Sequence, residues 1–99
     1  MTLEQLLHIF KDQPVLDYNM EIVTFKHGYQ IYEWMNNEYS PVGRFAYGID
    51  GLFEIFLERT ENFYIKKHAH RITHEISPER RDKIDEILMR LEDAYRSYQ

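Results

Sequence analysis

The sequence predicts an α+β domain with a short N-terminal helix, an antiparallel meander sheet of about five strands, and a long C-terminal amphipathic helix packed on one face. Two observations lead to this prediction. Apolar residues recur every three or four positions in the last quarter of the chain, and short β-forming runs separated by turn signals fill its middle. The chain has 99 residues and no repeat or Gly/Ser-rich linker, so residues 1–99 are predicted to form a single domain.

Helices are predicted at both ends of the chain. Thr2 and Gln5 have the spacing of a capping box, and the first helix should end before Pro14, because the residue before a proline avoids the helical conformation. Ser77 can cap a second helix over residues 78–98, in which proline at the first position needs no N–H. The apolar stripe of that helix consists of Ile84, Ile87, Leu88, Leu91, Ala94, Tyr95 and Tyr98.

Five strands are predicted between these helices. Residues 20–26 and 29–35 are rich in β-formers and should pair across a tight turn at His27-Gly28, followed by a polar loop over 36–41. Asp50-Gly51 lies between two apolar runs, which favours a hairpin because both turn positions need positive φ. A second turn at residues 60–62 would complete a three-stranded meander.

One face of this meander is predicted to be half aromatic and half charged. Exposed apolar patches with polar rims mark interaction sites, and aromatic residues are enriched in the cores of interfaces. Tyr39 lies near enough in sequence to extend such a patch. The predicted binding surface consists of Trp34, Phe45, Tyr47, Glu54, Phe56, Glu58, Tyr64, Lys66 and His68.

The histidines suggest a first alternative function. His68 and His70 would alternate along a strand and point the same way, and His74 follows shortly. Imidazoles so arranged are a metal-ligand geometry, and Glu54 or Glu75 would complete a metal-dependent or acid/base site. Most such histidines simply face solvent, so we predict no cofactor.

The charge distribution limits nucleic-acid binding to a second alternative. Residues 1–65 hold four Lys/Arg and ten Asp/Glu, a balance of −6, whereas residues 66–99 hold eight and seven, a balance of +1. An acidic protein lacks the phosphate neutralisation on which nucleic-acid affinity depends. A basic cluster could still bind a single strand weakly beside Tyr64 and Phe56; it consists of Lys66, Lys67, His68, His70 and Arg71.

Other functional classes have little support in the sequence. Cysteine is absent, the serines lie outside any nucleophile motif, and the four glycines form no phosphate-binding loop, so we expect a protein that is not an enzyme. No apolar run is long enough to span a bilayer, and no basic leader precedes the first apolar stretch, so we expect no membrane contact and a cytoplasmic location.

The function that the sequence favours is a small protein-binding module. It would act as a regulator, an inhibitor or a self-associating protein, with a protein partner or a second copy of itself on the predicted surface. Many small, acidic, cysteine-free proteins of phages or mobile elements block a partner in this way, which is an analogy of size and charge alone.

Overall fold

A computed structural model describes residues 1–98 of the chain. It confirms an α+β fold with a short N-terminal helix and an antiparallel sheet, but the sheet has three strands where about five were predicted. The strands follow one another in the order β1-β2-β3. The elements are α1 (Leu3–Ile9), β1 (Met20–Phe25), β2 (Gly28–Met35), β3 (Glu38–Ala46), α2 (Ile49–His68) and α3 (Pro78–Arg96).

The helices at the two ends of the chain are confirmed together with their caps. The Thr2 side chain accepts from the backbone N–H of Gln5 while the Gln5 side chain accepts from the backbone N–H of Thr2, which satisfies two donors at the start of α1. Ser77 accepts from the backbone N–H of Arg80, and Pro78 begins α3. These ends are specified locally, since each cap needs only residues within one turn.

The two hairpins of the sheet have two-residue turns. Lys26-His27 joins β1 to β2 and pairs Phe25 with Gly28, one residue earlier than predicted. Asn36 (φ 54°) and Asn37 (φ 64°) join β2 to β3. Both φ values are positive, as the favoured hairpin turns require, and asparagine tolerates this conformation. The prediction of a polar loop over 36–41 is therefore wrong.

A bulge in β3 decides which way the end of that strand faces. Ile31 pairs with Val42 but Tyr29 pairs with Ala46, so β3 has two extra residues between these pairs, and Gly43 has a φ of 71°. The buried Gln30 amide donates to the Val42 carbonyl at 3.0 Å and to the Gly43 carbonyl at 3.3 Å. These bonds tie the Gln30 side chain to the backbone at the bulge, where the regular ladder is interrupted.

The predicted meander over residues 42–71 is wrong, because residues 49–68 form the single helix α2. Gly48 precedes it in an extended conformation, and Asp50 lies in its first turn, where a carboxylate meets the helix dipole favourably. Asp50-Gly51 is thus a helix start and not a hairpin turn. The buried side chains of α2 recur mostly at helical spacing and are Leu52, Phe53, Ile55, Phe56 and Thr60.

An aromatic cluster joins the three helices. The ring of Phe10, which follows α1, meets Phe53 and Phe56 edge to face, with centroids 5.8 and 5.2 Å apart. Phe53 in turn stacks on Tyr95 of α3 at 3.9 Å. The same core includes Ile31 and Ala46 from one face of the sheet. The helices therefore share one core with this inner face of the sheet.

The molecule is flat, measuring 42 × 39 × 19 Å along its principal axes. The short dimension corresponds to one layer of helices on one sheet, since packed layers lie about 10 Å apart. Within the described residues, none of the helices is long and apolar enough to cross a membrane. In a two-layer molecule of this kind, the second face of the sheet remains open to solvent.

Replacement of Gly51 tests the helical start of α2. A Cβ at Gly51 would lie 3.6 Å from the Ala46 Cα, an ordinary contact, so Gly51→Ala should raise the free energy of unfolding by about 0.5–1 kcal/mol through helix propensity. Gly43→Ala is the matched control, because Gly43 has open space but a φ of 71° and should lose about 1–2 kcal/mol. Chemical denaturation measures both. A loss of stability in Gly51→Ala would favour the hairpin.

Replacement of Phe56 tests its burial. Phe56 is fully buried, so Phe56→Ala should lower the free energy of unfolding by about 3–5 kcal/mol through lost burial and an internal cavity. Phe63 lies on the same helix and is 42% exposed, so Phe63→Ala should cost much less. Urea denaturation measures the difference, provided that the dependence of the unfolding free energy on urea concentration is the same in both variants. Equal losses of stability in the two variants would contradict the orientation of α2.

Candidate functional site

The candidate site is the outer face of the sheet, on the side opposite the helices. Side chains alternate along a strand, so residues of one parity share this face in neighbouring strands. Trp34 pairs with Tyr39, while Tyr32 pairs with Glu21 and Pro41. We call the six aromatic side chains on this side the aromatic face: Phe25, Tyr32, Trp34, Tyr39, Phe45 and Tyr47.

The rings of the aromatic face form one continuous row. Tyr39 lies between Trp34 and Tyr32, with centroids 5.0 and 4.8 Å away. Phe25 links Tyr32, at 6.3 Å, to Phe45, at 5.9 Å, and Phe45 meets Tyr47 at 4.9 Å. All these spacings lie in the range of favourable aromatic pairs. The rings therefore hold one another in place before any partner arrives.

Much of this row is exposed to solvent. Trp34 is 56% exposed and Tyr47 is 83% exposed, and Phe25 and Tyr39 are exposed as well. Large aromatic side chains usually contribute to a core, so a contiguous exposed set is the informative exception. Five of the six rings belong to hydrogen-bonded strands, and Tyr47 follows β3 directly in the connection to α2.

Tyr39 is fixed by a hydrogen bond that crosses the sheet. Its hydroxyl donates to the carboxylate of Glu21 on β1, so the side chain reaches from β3 over β2. This hydrogen bond, together with a smaller desolvation effect and the negative charge of Glu21, raises the pKa of Tyr39 from 10.0 to about 12. The bond orients the ring that lies between Trp34 and Tyr32, and it leaves a carboxylate within the aromatic face.

Gly28 is required where the row turns toward Tyr47. A Cβ at Gly28 would lie 2.0 Å from the Ala46 carbonyl oxygen and 2.6 Å from the ring of Phe45. The Phe45 ring therefore lies directly over a glycine, which leaves it the room to meet Phe25. The bulge in β3 and this glycine together place Phe45 on the outer face.

An open cleft of about 540 Å³ lies at the Tyr47 end of the aromatic face. Phe45 and Tyr47 line it together with the acidic residues Asp50 and Glu54 from the first turns of α2. Arg44 lines it as well, but both of its terminal nitrogens donate to Glu58, at 2.6 and 3.0 Å. That pair lowers the pKa of Glu58, and its two charges cancel.

The structure brings together only part of the predicted binding surface. Trp34, Phe45 and Tyr47 lie on the aromatic face, and Glu54 and Glu58 lie beside it on α2. The placement of Phe56 on an exposed face is wrong, because its side chain is fully buried in the core.

The last three predicted binding residues lie in the final turns of α2. The Tyr64 hydroxyl donates to the Gln13 side chain at 3.1 Å, and its ring stacks on His68, with centroids 6.3 Å apart. Lys66 is exposed nearby. These residues lie on a helix and not on a sheet face, because the turn predicted at residues 60–62 is helical. The predicted stacking platform for single-stranded nucleic acid, which needed Phe56 beside Tyr64, is therefore not formed.

The histidines do not alternate along a strand. His68 ends α2, whereas His70 and His74 belong to a compact turn in which the Nδ1 of His70 accepts from the backbone N–H groups of Ile72 and Thr73. Nowhere in the part of the chain that the structure describes are three or more His, Asp or Glu side chains arranged to hold a metal ion. The geometry on which the metal alternative depended is therefore wrong.

Two members of the aromatic face were not predicted. Phe25 and Tyr32 lie on strands that were predicted correctly, but they were not assigned to any surface. Tyr32 and Trp34 are two residues apart on β2, so the alternation of side chains along a strand could have placed both on the same face of the sheet. The contribution of Phe25 depends on its contact with Phe45 across the bulge, and no local pattern indicates that contact.

Comparison with models of known protein families, with curated proteins and with solved structures gives no match to this chain. The functional reasoning therefore depends on the residues and their geometry alone.

Titration of Tyr39 tests the bond that orders the aromatic face. The phenol should ionise near pH 12, and Glu21→Gln should lower this pKa toward 10, because the negative acceptor is lost. Since the pKa is raised in the folded state, the stabilisation is complete below about pH 10 and is lost as the pH rises through about 12. Ultraviolet difference titration against Tyr39→Phe isolates this group. An unchanged pKa in Glu21→Gln would contradict the bond.

Proposed function

We propose that this protein is a small, non-enzymatic protein-binding module whose contact surface is the aromatic face. The observation that carries the proposal is the continuous row of six partly or largely exposed rings on the sheet face opposite the helices. Tyrosine, tryptophan and phenylalanine supply rigid contact area at low entropic cost, and they are enriched in the cores of protein interfaces.

The size of the aromatic face supports a protein or peptide partner. At about 200 Å² per ring, its four most exposed members present roughly 400–500 Å² of aromatic surface. That is comparable to the largest patch on a typical monomer, about 300–600 Å², which is often functional. A standard interface buries about 800 Å² on each partner, so the aromatic face would form its apolar core and the charged rim the remainder.

The rigidity of the surface also supports binding. Tyr39 is held by Glu21, and Phe45 is held by the bulge and by its contact with Phe25. A partner would therefore not need to order these side chains, a cost of about 0.5–1.5 kcal/mol for each flexible side chain in an interface. A surface whose rings are already fixed retains more of its contact energy as affinity.

Paired substitutions test the proposal. Tyr47→Ala and Trp34→Ala should each remove the same proteins from those that the tagged chain captures in a lysate of its source cells. Tyr18→Ala and Met89→Ala are the matched controls, because both residues are exposed apolar side chains outside the aromatic face, Tyr18 at 102% and Met89 at 62%. Light scattering of each variant shows whether the captured partner is a second copy.

The result contradicts the proposal if the aromatic variants and the controls retain the same proteins and the same solution mass. Circular dichroism must show that all four variants remain folded. Substitution of an exposed side chain costs within about 0.5 kcal/mol in most cases, so folding should be retained.

A further inference from the structure

We infer that the aromatic face binds an extended, arginine-rich segment of a partner protein, an inference that rests on the proposed function. Guanidinium groups would stack on the exposed rings and pair with carboxylates at the rim. Arginine is suited to both contacts, since it is planar, weakly hydrated, and able to donate two parallel hydrogen bonds to one carboxylate.

The charges around the aromatic face favour a cationic partner. Glu21 lies within it, and Asp50 and Glu54 line the cleft at its Tyr47 end. Arg44 is neutralised by Glu58, and among residues 1–98 this leaves Lys26, beside Phe25, as the opposing charge at this rim. The three carboxylates outweigh that lysine, in agreement with the balance of −6 over residues 1–65.

The cleft at Tyr47 combines both requirements of an arginine site. Phe45 and Tyr47 are among the residues that line it, and Asp50 and Glu54, which also line it, bring two negative charges to the cleft. The N-terminus of α2 lies nearby and carries a partial positive charge of about one half, which is smaller than the charge of the two carboxylates together. A cation held there would contact a ring and a carboxylate at the same time.

The same charges disfavour the other occupants. A second copy would bring two acidic rims together, in a chain whose net charge is −5. A nucleic acid or an anionic membrane surface would be repelled for the same reason. A neutral segment would use the rings but would leave the carboxylates of the rim without partners.

The dimensions indicate a short segment. The row from Trp34 to Tyr47 consists of five steps of 4.8 to 6.3 Å between ring centroids. The row bends between strands, so the path along its rings is longer than the straight line between its ends. At about 3.3 Å per residue, an extended segment would need at most about eight residues to reach from one end to the other. Arginines at alternate positions would all point toward the rings.

The only tryptophan of the chain lies in the aromatic face, so its fluorescence reports binding directly. Titration with a dodecapeptide of alternating arginine and glycine should change Trp34 emission to saturation. The dissociation constant should rise about tenfold between 50 and 300 mM salt, because rim charges are screened. A lysine–glycine peptide of the same length and charge should bind about fivefold more weakly, because its ammonium groups do not stack.

Matched variants separate stacking from charge. Tyr47→Ala should weaken binding about fivefold, and Tyr18→Ala should leave it unchanged. The double variant Asp50→Asn/Glu54→Gln should weaken binding by a similar factor, while Glu79→Gln/Glu86→Gln removes two exposed charges from α3 and should change it less than twofold. Trp34 is intact in all four variants, so they share one readout.

The inference is overturned if the arginine peptide gives no saturable change up to 1 mM, if the lysine peptide binds equally well, or if both double variants weaken binding to the same extent. A last titration uses a neutral proline–glycine peptide, which tests whether an uncharged segment can bind. If it binds, loses affinity in Tyr47→Ala and ignores salt, the protein-binding function stands and only the arginine-rich occupant is wrong. The capture of proteins from a lysate, compared between Tyr47→Ala and Tyr18→Ala, tests the proposed function independently of all these peptides.

Discussion

The packing of α2 through Phe53 and Phe56 is the constraint on which the rest of the structure depends. Phe10 meets both rings, and Tyr95 stacks on Phe53. A short helix such as α1, with seven residues, is only marginally stable by itself, so this contact is what holds it in place. These aromatic contacts join the helices on one side of the sheet, so that side belongs to the core. In the part of the chain that the structure describes, no helix covers the other side.

The exposed side of the sheet is more ordered than an uncovered strand surface needs to be. The bulge in β3 turns Phe45 outward, the buried Gln30 amide donates to the backbone at the bulge, and Gly28 leaves room for the ring. The Tyr39–Glu21 bond fixes the ring next to Trp34. Each of these features adds a geometric restriction whose effect is to align aromatic rings. Rigid, aligned aromatic rings on a surface favour binding of a partner and do not favour solubility.

The coincidence of aromatic surface with negative charge narrows the chemistry of that partner. Exposed rings alone would accept almost any apolar segment, but the carboxylate of Glu21 within the row and those of Asp50 and Glu54 near its Tyr47 end penalise neutral or anionic ones. The Arg44–Glu58 pair removes the cation nearest to the Tyr47 cleft from the balance. The negative charge of the protein would attract a cationic segment at long range. At short range, the planar guanidinium group would distinguish arginine from lysine.

The sequence by itself determined the parts of this protein that depend on neighbouring residues. The caps at Thr2 and Ser77 and the periodicity of α3 involve contacts within a few positions, and they were predicted correctly. The first two strands were also predicted, with their turn placed one residue too late. The membership of Trp34 and Tyr47 in an exposed aromatic surface was also predicted, although the other residues of that surface were placed largely on two strands that form α2 instead. The local pattern was sufficient wherever no distant residue competed with it.

Tertiary structure decided the rest, because several local signals were compatible with two structures. Asp50-Gly51 satisfies a hairpin turn and also the first turn of a helix, and the apolar run that follows has β-forming residues at helical spacing. Burial of Leu52, Phe53 and Phe56 against Phe10 and Tyr95 selects the helix, since only a helix places those side chains on one side. That choice removed two predicted strands, buried Phe56, and left the outer sheet face as the aromatic surface of the protein.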